Sequence, residues 1–303
     1  MIRTFFVCLM ILLVGSGMML TGAAQGRKHQ GFSISTGPEK TISDCSQIRI
    51  THRDAEVART EQSYTLPRST SPLQVQAPRN GGIHVQGWKG GEFSITACLS
   101  AAGDTTQEAQ GFLTQISVST SNGRVSVNGP TGATWVAYLI IQAPDGSALE
   151  LESTNGPVGV SDFSGTVQAR TLNGPITLHD VSGQVRADAQ NGPINVTGNG
   201  GDFRLNAQNG PIGVHLTGNR WESGELEAHT QNGPLSLSVP PDYQSAVRVE
   251  ASRHSPVECR AVQCKQAVRT WDRPSVIEFG GSSPVVRMST VNGPVSVNST
   301  GEK

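Results

Sequence analysis

The sequence is poor in aromatic side chains and carries almost no net charge. Aromatic residues make up 5% of the 303 positions, so a large core of the usual globular kind is not expected, and a thin core of Val, Ile and Ala is. Lys and Arg number 23 against 24 Asp and Glu, a net charge of -1, and no basic patch stands out. Nucleic acid is therefore not an expected partner.

Known catalytic motifs are also missing. The sequence contains no GxSxG, no HExxH, no Walker-type loop and no dinucleotide-binding glycine motif. Because no residue pattern identifies a reaction, we expect a protein that is not an enzyme and that uses neither a cofactor nor a metal.

The N-terminus predicts export. Arg3 precedes an uncharged, largely apolar segment that runs to Gly26, and Ala23 and Ala24 supply small residues for cleavage. We expect a signal peptide over residues 1–24, no membrane span after its removal, and a location in the periplasm, the cell envelope or outside the cell. An uncleaved membrane anchor is the alternative, since the apolar segment is long enough to reach across a bilayer. Residues 25–44 read as a polar, flexible leader.

Four cysteines remain once the one in the apolar leader segment is set aside. An even number in an exported chain predicts two disulfides, and three pairings are possible. Pairing within each region of the chain favours Cys45–Cys98 and Cys259–Cys264. A zinc site at the second pair would need further ligands that the surrounding sequence does not supply.

The most informative feature is a repeat with a fixed period of 18 residues. From Asn155 the chain reads NGPVGVSDFSGTVQARTL, then NGPITLHDVSGQVRADAQ, then NGPINVTGNGGDFRLNAQ. A short constant period indicates one structural unit stacked on itself. The repeat asparagines, which we expect to occupy equivalent structural positions, are Asn155, Asn173, Asn191, Asn209, Asn232 and Asn292.

Each unit predicts two short strands. Counting from the Asn as zero, positions three and five are apolar, as are or are small positions twelve, fourteen and sixteen, which is the alternation of half-buried strands. The Asn-Gly step marks one corner and a glycine near position ten marks another. Extra residues of the fourth unit fall in the loop LTGNRWES. We read Asn122-Gly123 as a further copy and Thr105–Gly111 as a polar loop.

Two all-β folds fit this pattern. One is a β-solenoid, a β-helix-like stack of ~18-residue coils; the other is an antiparallel meander or sandwich in which Asn-Gly is a hairpin turn. The solenoid is favoured because Asn, Gly and Pro recur at the same three places, as ladders of like residues would require. The predicted organisation is an N-terminal β region with degenerate repeats at 45–115, the repeat solenoid at 116–298 and a tail at 299–303.

A few residues are candidates for chemistry or binding. Asp162 and Asp180 both lie seven places after their Asn and would be neighbours in a solenoid, and paired carboxylates are what sugar cleavage needs; aspartates that merely bond their own backbone at a corner are the simpler interpretation. His179 shares its position with the distant His215 and lacks a third ligand, so no metal site is expected. Trp221 and Arg220, in the extended loop, are the best contact candidates, although Trp221 could instead fold over the coil edge.

The sequence resembles a known family. Repeated [S/T/Q]-N-G-P-[IVL]-x-[VL] units, the APRNGGIHVQGW segment followed by ITAC, and the late VECRAVQC, WDRPSVIEFG and VVRMSTVNGPVSV blocks are similar to the bacterial β-strand-repeat proteins called "putative adhesins", a domain of unknown function. The resemblance covers roughly residues 45–298. It implies an exported, envelope-associated, solenoid-like β protein, and it implies no catalytic residues.

Three functions are therefore expected in order. The first is a non-enzymatic envelope or surface protein that binds a surface glycan or an envelope protein in an adhesin-like way through its strand faces and corner loops. The second is a carbohydrate-active β-helix enzyme, a polysaccharide lyase or hydrolase that uses Asp162 and Asp180. The third is a purely structural or sensory envelope domain. Fold alone does not choose among them.

Overall fold

The computed structural model describes residues 32–36, 42–52, 55–252, 255–270, 275–281 and 283–300. The predicted signal peptide lies outside this set, as does most of the predicted leader. The described chain is nearly all β, with two large mixed sheets and a separate two-stranded pair.

The strands of the N-terminal half are, in chain order, β1 (Phe32–Thr36), β2 (Ile48–His52), β3 (Glu56–Pro67), β4 (Leu73–Gln76), β5 (Gly81–Trp88), β6 (Glu92–Gly103), β7 (Ser117–Ser121), β8 (Arg124–Asn128), β9 (Thr134–Pro144), β10 (Ala148–Asn155), β11 (Val158–Ser161) and β12 (Ser164–Asn173). One α-helix, α1 (Thr106–Leu113), follows β6, and a short 3₁₀ turn covers Cys45–Gln47.

The C-terminal half continues with β13 (Ile176–His179), β14 (Ser182–Asn191), β15 (Ile194–Gly198), β16 (Asp202–Asn209), β17 (Ile212–Leu216), β18 (Leu226–Asn232), β19 (Leu235–Val239), β20 (Val247–Ala251), β21 (Val257–Cys259), β22 (Val268–Thr270), β23 (Ser275–Phe279), β24 (Val286–Asn292) and β25 (Val295–Ser299). A second 3₁₀ turn covers Val262–Lys265.

Each repeat unit contributes one strand to each large sheet. The 12-stranded sheet has the order β22-β23-β20-β24-β18-β16-β14-β12-β10-β4-β8-β7, and the 11-stranded sheet has the order β21-β25-β19-β17-β15-β13-β11-β5-β9-β6-β3. Within the repeats, neighbouring strands are parallel and equivalent residues pair directly: Ile176 pairs with Ile194, and Ile194 with Ile212. The pairing is not that of an antiparallel hairpin meander, in which an Asn-Gly turn would join adjacent strands.

One apolar core contains residues from both sheets. Ile194 in β15 and Leu205 in β16 are both 0% exposed, and burial alternates along each strand as the period of two requires. Small side chains such as Ala187 and Ala207 belong to this core, which is how a chain with few aromatics fills the space between two sheets. Burial of each large aliphatic side chain contributes about 1.5–3 kcal/mol.

The asparagines of the NGP motif form a continuous hydrogen-bonded ladder. Asn191 donates from Nδ2 to Asn173 Oδ1 over 3.0 Å and accepts from Asn209 Nδ2 over the same distance. The ladder runs through all six repeat asparagines, with bond lengths of 2.8–3.0 Å, in the order Asn155, Asn173, Asn191, Asn209, Asn232, Asn292. Each interior amide therefore has a partner on both sides.

The glycine of the motif allows neighbouring corners to approach closely. A Cβ atom added to Gly192 would lie 2.1 Å from the carbonyl oxygen of Gly174, and one added to Gly210 would lie 2.1 Å from that of Gly192. No side chain fits at such a distance, so the column of glycines is a steric requirement. The proline keeps its role through its carbonyl, which accepts from the next unit, as Pro193 does from Ile176 N over 2.9 Å.

Two local predictions are wrong. The segment predicted as a loop is helical over Thr106–Leu113, because Thr105 caps the helix by accepting from Glu108 N, and Leu113 is buried one turn beyond Ala109. Asn122-Gly123 is not a repeat corner. Both residues have positive φ, 54° and 69°, and they join β7 and β8 in an antiparallel hairpin.

Both predicted disulfides are present, one near each end of the stack. Cys45–Cys98 ties a strap, residues 42–52, to β6, and Cys259–Cys264 closes the turn after β21. The strap covers the outer face of β9, so that Val136, Tyr138 and Ile140 form a second apolar cluster with Ile42, Ile48 and Ile50. This explains why β9 is apolar on both faces. The predicted boundary between residues 115 and 116 stays a prediction, although β6 and β9, on either side of it, pair with each other.

Candidate functional site

The two aspartates predicted as a carboxylate pair do lie together, at the end of β11 and the end of β13. The backbone N–H of Asp162 donates to His179 O over 3.0 Å, which fixes the two units relative to each other. Both aspartates have φ of 49°, a left-handed conformation that Asp tolerates better than most residues. Both side chains are exposed.

His179 joins the pair. One ligand atom each of Asp162, His179 and Asp180 lies within 4.8 Å of those of the other two. His179 Nδ1 is 3.1 Å from Asp180 Oδ2, at ion-pair distance but without hydrogen-bond geometry. Sequence reasoning compared His179 with the distant His215 and missed that the neighbouring unit supplies Asp162. The signal was present, since positions six and seven are adjacent in consecutive units.

A hydrogen-bonded chain supports Asp162 from the adjacent strand β5. Gln86 Nε2 donates to Asp162 Oδ2 over 2.8 Å, and Ser161 Oγ donates to Gln86 Oε1 over 2.7 Å. His84, also on β5, is buried beside Ser161 and accepts from Ile42 N over 3.3 Å. Burial lowers the pKa of His84 to about 4 against the opposing field of Asp162, so its imidazole is neutral at neutral pH.

The arrangement does not suit a glycosidase. The carboxylates approach within 4.8 Å, closer than the about 6.5–9.5 Å that separates the catalytic pair of an inverting enzyme. The four concavities described below and on the same sheet contain neither aspartate. A retaining mechanism would also need a sugar-binding cleft above the pair.

Trp221, predicted as a contact residue, lies in the core. It is 6% exposed, its ring stands edge-on to Phe203 with centroids 5.7 Å apart, and its Nε1 donates to Gly201 O over 3.1 Å. Arg220 beside it is exposed. The geometry is that of an indole folded over the edge of its unit, so it lends no support to a contact role for Trp221.

A polar column on the outer face of the 12-stranded sheet is the most extended surface feature of the repeats. Its members pair directly from strand to strand and are exposed or half-buried, in the spatial order Arg124, Gln74, Glu150, Gln168, Arg186, Arg204, Glu227, Arg287, Arg248 and Glu278. Sequence reasoning passed over this column, although the same alternation that marks inward positions marks these outward ones.

Two arginines stand side by side in this column. Arg186 and Arg204 are direct strand partners, about 4.8 Å apart along the sheet. Arg186 donates to Asp188 over 2.9 Å, and Arg287 pairs with Glu225 and Glu227. Among the described residues, no carboxylate lies within ion-pair distance of Arg204.

Shallow grooves flank Arg204 on both sides. One, of about 330 Å³, is lined by Arg204, Glu227, His229 and Arg248 among others. The other, of about 470 Å³, is lined by Gln168, Arg186, Arg204 and Glu225 among others. Arg204 therefore presents an uncompensated guanidinium to two adjoining open grooves.

Comparisons with known proteins give only distant likenesses. No family model matches the chain, and no curated protein does either. Similar solved structures include a "putative cell adhesion protein" from Clostridium sporogenes (8% identity, TM-score 0.29, covering 80% of this chain and 100% of that one). They also include a "putative adhesin" from Bacteroides fragilis (9%, 0.38, 80% and 97%) and a "putative lipid binding protein" from Parabacteroides distasonis (8%, 0.34, 80% and 96%). At these TM-scores the likeness carries no assignment, and the predicted resemblance to the adhesin-like family stays a prediction.

The described chain also bears on membrane topology. Its helix α1, of eight residues, is too short to cross a bilayer, and no other helix in the described ranges is long and apolar enough to do so.

Proposed function

We propose that this protein is an exported, non-enzymatic envelope or surface protein, built as a β-solenoid, that binds a surface glycan or an envelope protein in an adhesin-like way. Support for the solenoid comes from the in-register parallel pairing of consecutive units, as for Ile176, Ile194 and Ile212. Support for export comes from the two disulfides, which persist in oxidising compartments.

The observation that carries the binding proposal is Arg204. A guanidinium without a carboxylate partner, set between two open grooves on a rigid sheet, is suited to hydrogen-bond a carboxylate or other anionic group of a partner. The neighbouring Arg186 adds to the local positive potential, while Glu225 and Glu227 at the groove edges would select against partners of uniform negative charge.

The test compares the two candidate contact regions. The disulfide-bonded exported chain is immobilised and probed with a glycan array and with solubilised envelope proteins, as wild type, Arg204→Glu and Arg220→Glu. Both substitutions replace an exposed arginine, so they change the net charge equally. Retention that is lost in Arg204→Glu but kept in Arg220→Glu supports the proposed face.

The opposite outcomes are equally informative. Loss only in Arg220→Glu would move the contact to the extended loop. Retention of no glycan or protein by the wild type would contradict the binding proposal and leave a structural role. Turnover of a polysaccharide by the wild type, abolished in Asp180→Asn, would replace it with the enzymatic alternative.

A further inference from the structure

The corner formed by Asp162, His179 and Asp180 carries an inference independent of the proposed binding face. Its three side chains come from two consecutive units, and one ligand atom of each lies within 4.8 Å of the others. Imidazole nitrogen and carboxylate oxygen are the donor atoms that zinc and related divalent ions take in proteins.

The electrostatics of the corner favour a cation. Asp162 and Asp180 bring two carboxylates close together, and among the described residues no Lys or Arg lies within ion-pair distance of either. In the same column the flanking positions are Gly87 and Gly198, which offer no side chain to offset the charge. Two like charges at this separation repel unless a cation or a proton lies between them.

The imidazole of His179 provides the second observation. Both ring nitrogens are inaccessible to solvent and neither makes a hydrogen bond within the described protein, although the side chain as a whole is 15% exposed. Buried polar atoms are nearly always satisfied, so such a ring needs an explanation, and coordination of an ion is one that the two adjacent carboxylates also fit.

The spacing is compatible with coordination. Ligand bonds of about 2.0–2.2 Å place two tetrahedral ligands about 3.3 Å apart. The 3.1 Å between His179 Nδ1 and Asp180 Oδ2 is close to this value. Asp162 is exposed, so its carboxylate can adjust by rotation, and Gln86 holds it on the same side of the corner.

We propose that Asp162, His179 and Asp180 form a binding site for one divalent transition-metal ion of the zinc type. The ion joins two consecutive units of the repeat at a corner where the chain has no other cross-strand side-chain bond between these three residues than the ion pair of His179 with Asp180. Three protein ligands leave a coordination position open for water or for a donor atom of a partner.

The test uses the disulfide-bonded exported chain, freed of metal with a chelator and titrated with Zn²⁺ by calorimetry. One saturable equivalent per chain and a higher melting temperature in Zn²⁺ are expected. Co²⁺ in place of Zn²⁺ should give the visible absorption of a low-symmetry site with nitrogen and oxygen ligands.

The variants are Asp162→Asn, Asp180→Asn and His179→Gln, and the control is His215→Gln. Asn tolerates the left-handed backbone of both aspartates, so these two variants are expected to fold and to melt like the metal-free wild type. His215 holds the same position in its unit but has Leu216 in place of the Asp. Because loss of an outer-shell partner alone costs 10–100-fold in affinity, loss of a ligand is expected to cost at least about tenfold.

Three results would overturn the proposal. They are the absence of saturable Zn²⁺ binding to the wild type, unchanged affinity in both Asp→Asn variants, and an equal loss of affinity in His215→Gln. Should His179→Gln fail to fold, the two aspartate variants decide the question.

Discussion

The middle of the stack and its ends are held together in different ways. In the middle, from β12 to β19, every unit meets a copy of itself, so asparagine bonds to asparagine and isoleucine lies on isoleucine. At the ends no copy is available. The chain instead uses antiparallel strands at the edge, a strap over β9 and a disulfide in each end region.

The difference shows what repetition supplies and what it leaves undone. Stacked units satisfy both edges of every interior strand, but the terminal units would expose unpaired edges and apolar faces. The antiparallel hairpin of β3 and β6 and the strap meet this need at one end, and the β20, β22 and β23 strands meet it at the other. Covalent links are therefore placed where stacking stops.

The largest effect is expected from a charge inside the middle. Ile194→Asp places a carboxylate at a position that is 0% exposed, with isoleucine above and below, and should cost about 4–5 kcal/mol or more and abolish cooperative melting. Asn195→Asp is the control, since that side chain is exposed. Circular dichroism melts compare them; similar melts for both would refute the inward face.

The disulfides should differ from each other. Cys45–Cys98 closes 53 residues and Cys259–Cys264 closes 5. Loop-closure entropy predicts losses of about 4 and about 2 kcal/mol when each pair is changed to Ser. Only the first change should also release the strap and expose Tyr138, which an apolar dye would report. Equal dye binding by the two variants would contradict the role assigned to the strap.

Within the middle, the glycine column should be sensitive at one position and tolerant at another. A Cβ at Gly192 would lie 2.1 Å from Gly174 O, whereas one at Gly198 would meet nothing within 4 Å. Gly192→Ala should cost about 3 kcal/mol by forcing the backbone to shift, and Gly198→Ala should be close to neutral. Chemical unfolding measures both. A tolerant Gly192→Ala would mean that the corners need not approach so closely.

The smallest effect should come from the asparagine ladder. Asn191→Ala removes two amide–amide bonds, and each is worth about 1 kcal/mol net. Asn195→Ala, on the outer face of β15, removes an exposed amide for which the described structure has no hydrogen bond. Chemical unfolding should separate the two variants by about 1–2 kcal/mol. No difference would show that water replaces the ladder without loss.

Much of the middle could be predicted because its signals are local. The 18-residue period makes residues equivalent, and alternation within each unit assigns Ile194 inward and Arg204 outward without any knowledge of neighbours. The ends could not be predicted in this way. Asn122-Gly123 looks like another corner in sequence, yet its positive φ values make it a hairpin, because β8 adds to β4 and not to the next repeat.

The candidate site was predicted only in part for a similar reason. Asp162 and Asp180 share a position in the repeat, so their proximity follows from the period. His179 belongs to the same cluster only because the corner brings position six of one unit beside position seven of the unit before it. Arg204 stands out only when its neighbours are known to be paired elsewhere.

By itself the sequence determined which residues are equivalent, which faces point inward, and which cysteines pair, since period, alternation and spacing along the chain are sufficient for each. Only the tertiary structure decided how the ends are covered, that Trp221 lies in the core, and which side chains meet at the corner. These outcomes depend on contacts between residues far apart in the chain, such as Tyr138 with the strap, and such contacts have no local pattern to announce them.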